Sequence, residues 1–128
     1  MTYSTARKIE QPIADAIARV EAVLKEEGFG VLTRIDVAAT LKEKIGAELR
    51  PYVILGACNP KLAFEAIKRE DKVGTMLPCN VIVQEVAPGQ SEVAVIDPVA
   101  SMQAIENSEL LAIAQDVREK LRRVVERL

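Results

Sequence analysis

A chain of 128 residues suits one domain, and at this size about two-thirds of the unfolded surface is buried on folding, so no staple is required. Apolar residues at 49% and charged residues at 28% describe an ordinary globular balance and exclude a disordered chain. A net charge of -2 argues against a basic nucleic-acid-binding face, and no apolar run reaches the roughly 18 residues of a membrane span.

Thr2 to Arg7 alternates Tyr3, Thr5 and Arg7 against Ser4 and Ala6, which predicts a short polar edge strand. Pro12 fits a first helical turn. Ile13, Ile17, Val20 and Leu24 follow at helical spacing, and Gly28 is a natural stop, so a helix is expected over Pro12 to Glu27. Gly30 to Val37 reads as the second strand, with Val31, Thr33, Ile35 and Val37 on one side of the pleat. Thr40 and Glu43 have the spacing of a capping box, predicting a short helix to about Leu49 with Leu41, Ile45 and Leu49 inward. Tyr52 to Ala57 is nearly continuous apolar and reads as a central strand covered on both faces. Asn59-Pro60 then reads as N-cap and first turn of a helix over Pro60 to Arg69, with Leu62, Ala63, Ala66 and Ile67 inside.

Asp71 to Pro78 is a connector. Cys79 to Val86 and Ser91 to Ile96 form an antiparallel hairpin through Pro88-Gly89, which suit a type II turn. Asp97-Pro98 breaks the last strand. Asn107 or Ser108 caps a terminal helix whose stripe is Leu110, Ala114, Val117, Leu121, Val124 and Leu128. That seam covers the sheet, with dimerisation through the same helix as the competing reading. The expected class is α/β (α+β): a mostly antiparallel five-stranded sheet with helices packed on one face.

The chemistry gathers in two dipeptides, Cys58-Asn59 and Cys79-Asn80, 21 positions apart. Cys58 follows one strand and Cys79 opens another, so antiparallel neighbours would bring both pairs to one rim. Three readings follow. In the first, both pairs are structural, as buried thiols and caps. In the second, they line a small ligand pocket in which Cys58, Asn59, Cys79 and Asn80 are the binding groups, with Asp97 a less favoured contributor. In the third, they do thiol chemistry, redox or soft-metal, with Lys61 and the helix N-terminus activating Cys58.

Histidine is absent, which removes Ser-His-Asp and Cys-His catalysis, and two thiols do not complete a tetrahedral zinc site. Glu26-Glu27, Glu65 and Glu70-Asp71 read as solvated, unpaired charge. An enzyme is not the favoured reading, and no cofactor is assigned.

The motifs Gly56-Ala57-Cys58-Asn59-Pro60 and Leu77-Pro78-Cys79-Asn80-Val81, with Asp97-Pro98 downstream, resemble the prokaryotic domain-of-unknown-function family 302. The resemblance spans nearly the whole chain. It implies a small α/β fold similar to the β-α-β4-α arrangement of the TATA-binding protein, and no established reaction. The full expectation is therefore a cytoplasmic homodimer that binds a small molecule, but neither nucleic acid nor membrane. Its Glu-, Lys- and Arg-rich surface hints at a thermophilic source.

Overall fold

The computed structural model describes residues 2–128. Five strands, β1 (Ser4–Ile9), β2 (Gly30–Asp36), β3 (Tyr52–Cys58), β4 (Cys79–Ala87) and β5 (Gln90–Ile96), form one sheet in the order β1-β5-β4-β3-β2. Every neighbouring pair is antiparallel. β1 and β2 are consecutive in the chain yet occupy opposite edges, so the helix between them crosses the sheet.

Register explains which face is covered. Leu55, Val81 and Val95 stand side by side, as do Val53, Val83 and Val93, and all six are buried. Onto them pack α1 (Ile13–Glu26), through Ala16, Ile17, Val20, Val23 and Leu24, and α5 (Ser108–Glu126), through Val117, Leu121, Val124 and Val125. Each fully buried Val or Leu contributes roughly 1.5–3 kcal/mol of transfer free energy. The terminal seam is thus spent on covering the sheet. A smaller second core joins α3 (Pro60–Arg69), a 3-10 turn at Asp71–Met76, α4 (Pro98–Ser101) and α5, through Ala66, Val73, Met102, Leu110 and Ala114.

Several local expectations are corrected. The alternation in β2 is broken by a bulge between Val31 and Thr33. Val31 therefore pairs with Ala57 on the covered face, while Thr33 and Ile35 pair with Gly56 and Ile54 on the other. That other face carries no helix, so β3 is covered on one side only, and Ile35 is 48% exposed.

The Thr40 capping box does not form. Asp36, at the end of β2, is the N-cap of α2 (Val37–Ile45), its carboxylate accepting from the Ala39 N–H at 2.9 Å. The Thr40 hydroxyl instead donates to the Asp36 carbonyl. A carboxylate already placed at the strand end caps the helix four residues earlier than a hydroxyl at Thr40 could. Gly46, at φ 68°, ends α2 short of the expected Leu49, and α2 buries no residue, with Ile45 73% exposed. In α3 the inner stripe holds for Ala66, but Ile67 faces outward.

Candidate functional site

The rim at the end of β3 and the start of β4 is built by pairing. Ala57 lies opposite Cys79, and Gly56 opposite Asn80. Cys58 in turn pairs with Gly30 at the start of β2. The two cysteines thus belong to adjoining strand ends, as the antiparallel arrangement predicts, and both are free thiols.

Asn59 turns the chain from β3 into α3. Its Oδ1 accepts from the Leu62 N–H at 3.3 Å, and Pro60 occupies the first helical turn. Its side chain also rests against the tight turn after α1. There Gly28, at φ 87°, leaves room that a Cβ would take, 3.1 Å from Asn59 Nδ2. Glycine meets both demands, since it alone adopts that φ freely.

Cys58, Asn59 and Cys79 line one cavity of about 30 Å³ together with Phe29, Leu62, Met102 and Ile113. It sits at the seam between the two cores: Phe29, Cys79 and Val117 belong to the first, Ala66, Met102 and Ala114 to the second. Its wall is almost wholly apolar. The only polar side chain among the lining residues besides the thiols is the Asn59 amide, whose oxygen is engaged in capping. A space of this size holds about one or two water-sized species.

Burial pushes the Cys79 thiol up to about 11, with the neighbouring Cys58 adding to the effect. Burial also raises Cys58. This is opposite to the activation expected from Lys61 and the α3 N-terminus. Both groups are protonated at neutral pH, and a protonated thiol is a poor nucleophile.

The remaining sequence candidates part company with this cavity. Asn80 is exposed and borders a separate depression with Thr75, Met76, Pro78 and Ser101. Successive strand residues point to opposite faces, so Cys79 and Asn80 could not both face inward. Asp97 caps α4, its Oδ1 accepting from the Val99 N–H at 2.9 Å, and lies 3.3 Å from Arg118 Nε. Met102 was not foreseen. It follows α4 directly, and the folding of the Asp97-Pro98 corner carries it to the cavity wall.

The fold and site together define a class: an antiparallel α/β sheet, helices on one face, with a thiol-lined cavity at one rim. The chain matches the family described as Domain of unknown function DUF302 over residues 5–128, and it belongs to that family. It is similar to the solved structure described as uncharacterized conserved protein DUF302 from Bacillus stearothermophilus, at 30% identity and a TM-score of 0.91. That likeness covers 99% of this chain and 98% of the other. None of the curated proteins matches the sequence. Among the described residues no helix is long and apolar enough to cross a membrane.

Proposed function

We propose that this single-domain chain is a cytoplasmic binding module whose site is the rim cavity, and that its ligand is a species of one or a few heavy atoms. The observation that carries this reading is convergence. Two strand ends, one helix cap and the corner after α4 come from distant parts of the sequence and meet around one apolar space. Interiors pack like organic crystals and keep few voids of this size, so a cavity where these elements meet is the first place to look for a ligand.

Xenon is a suitable probe, since it enters dry apolar cavities. Under xenon pressure, amide and methyl shifts should move at Phe29, Leu62, Met102 and Ile113 and scarcely elsewhere. The cavity-filling variant Ala114→Leu should abolish the response. Shifts spread over the molecule, or none, would end the proposal.

The uncovered face of the sheet supports a second part of the reading, that two copies pair there. Across it run Ile35, Ile54, Ile82, Ala94 and Ala6, one residue from each strand in register. The charges bordering that row, Lys8 and Glu92, are of opposite sign, so like faces do not repel. Five strands at ~4.8 Å spacing and three rows of side chains give a projected patch of about 500 Å². Side-chain relief brings that toward the ~800 Å² each partner gives to a stable complex. Sedimentation should show a dimer for the parent chain and a monomer for Ile54→Lys. A monomeric parent at micromolar concentration removes this part of the reading.

A further inference from the structure

We propose that the groove between α1, α2 and the β2 edge is a second ligand site, separate from the rim cavity. Its ligand is a free medium-chain monocarboxylate, an alkyl chain with one anionic head. The groove has a volume of about 400 Å³, inside the roughly 300–1,000 Å³ that small-molecule sites span.

Its origin is the bulge in β2. Beyond the bulge, Arg34 stands opposite Leu55 and Asp36 opposite Val53, so both project from the helix-bearing side of the sheet. Over β3, β4 and β5 that side is closed by α1 and α5. At β2 the cover ends, and Arg34 and Asp36 remain exposed. The chain then forms α2 beside this gap rather than over it. Ala38 and Ala39 of α2 line the opening, and Ile13, Ile17 and Val53 give it an apolar floor.

α2 itself is the second observation. A helix of nine residues is too short to stand alone in water, and draws its stability from a packed face. Yet α2 buries none of its residues. An alkyl chain laid between the two alanines and the floor supplies the missing packing.

Charge selects the head group. Four charged residues line the groove: Arg34, Asp36, Lys42 and Glu48. Asp36 is committed, its Oδ1 accepting from the Ala39 N–H at 2.9 Å. Glu48 meets Lys42 only at 3.7 Å and is the more exposed of the two. Among the described residues the one ion pair of Arg34, with Glu21, stands at 4.0 Å, beyond hydrogen-bond distance. The guanidinium therefore has donors to offer a carboxylate, which it can hold through two parallel N–H···O bonds. Lys42 adds a second cation to the same groove.

The test is titration with decanoate below its micellar concentration, followed by calorimetry and amide shifts. Saturation at one decanoate per chain is expected, with the largest shifts at Ile13, Ala14, Ala38, Ala39 and Lys42. Hydrogen exchange of the α2 amides should slow at least ~10-fold at saturation. Each methylene removed, down to hexanoate, should weaken binding about fourfold, as expected for one buried CH₂. Decanol should bind at least ~10-fold more weakly than decanoate. Arg34→Gln should remove most of that difference and leave decanol binding unchanged. Ala39→Leu, a helix-favouring change at an exposed position, fills the groove and should abolish binding of both probes.

Decanol binding as tightly as decanoate overturns the proposal, as does full binding by Ala39→Leu or the absence of saturation. Shifts confined to the open sheet face or the rim cavity overturn it too, and so does unchanged exchange in α2. The groove and the rim cavity share no lining residue, so this test and the xenon test fail independently.

Discussion

Gly56 is squeezed at the rim. A Cβ there would collide with Thr33 Oγ1 and lie 2.7 Å from Pro78 Cγ. Neither neighbour yields easily, one being β-branched on a paired strand and the other a ring. Gly56→Ala should therefore destabilise by about 1–3 kcal/mol, as overpacking does, measured by urea unfolding. Thr33→Ser in the same chain should not rescue it, because the serine keeps the hydroxyl; Thr33→Gly should recover part. A second residue-scale expectation concerns Cys79. Its thiol ionises near 9.0 when free and near 11 when folded. The folded state thus holds its proton more tightly than the unfolded chain. The stabilisation is fully present below pH 9 and is lost as pH rises through about 11, by ~2–3 kcal/mol in all. Unfolding curves between pH 8 and 11 should fall less steeply for Cys79→Ala than for the parent. Parallel slopes would contradict this.

At the scale of elements, helix ends are where sequence and structure part. Asn59 and Asn107 cap their helices as local spacing predicts, and Asp97, read from the sequence only as a break before Pro98, caps α4 in the same way, each accepting N–H groups two or three residues on. The α1 helix has no side-chain cap of its own, since Pro12 precedes it. Glu85, from the far end of β4, supplies one: its Oε1 accepts from the Ile13 N–H at 2.8 Å. No local pattern could announce a cap 72 residues away. Glu85→Ala should cost about 1 kcal/mol, the usual loss of a cap, and Glu85→Gln, which keeps the acceptor, distinctly less. Equal losses in thermal unfolding would mean that the contact carries no weight.

The other end of α1 corrects the reading of Glu26-Glu27 as unpaired. Glu27 accepts from Arg123 at 2.9 and 3.1 Å and from Arg127 at 3.0 Å, and Arg127 also reaches Glu26. The basic cluster at the end of α5 thus joins two helices as well as meeting its own dipole.

For the molecule as a whole, periodicity was legible because burial follows it. The stripes Ile13 to Leu24 and Leu110 to Val124 had only one place to go. The α3 bounds were legible because Asn59-Pro60 opens a helix by local chemistry alone. The rim was legible in part, since strand direction brings Cys58 and Cys79 together, whereas strand alternation sends Asn80 away. What was not legible depends on tertiary events: the bulge that flips Val31, the corner that presents Met102, and the second core behind the cavity. The fully buried Ser91 is another such case. Its hydroxyl donates to the Gln11 carbonyl, which ties β5 to the chain entering α1.

The pairing of Ser4 with Ile96, and of Arg7 with the Val125 and Glu126 carbonyls, has a bearing on synthesis. As the chain leaves the ribosome β1 finds no hydrogen-bonding neighbour until β5 has emerged. Contacts this far apart in sequence close slowly, since loop entropy must be met first. The pairs with the shortest separations, β2 with β3 and the β4–β5 hairpin, are the ones that can close first. The opening segment docks last, clasped by the final helical turn, so trimming that turn should leave a nascent edge frayed while the interior stays formed.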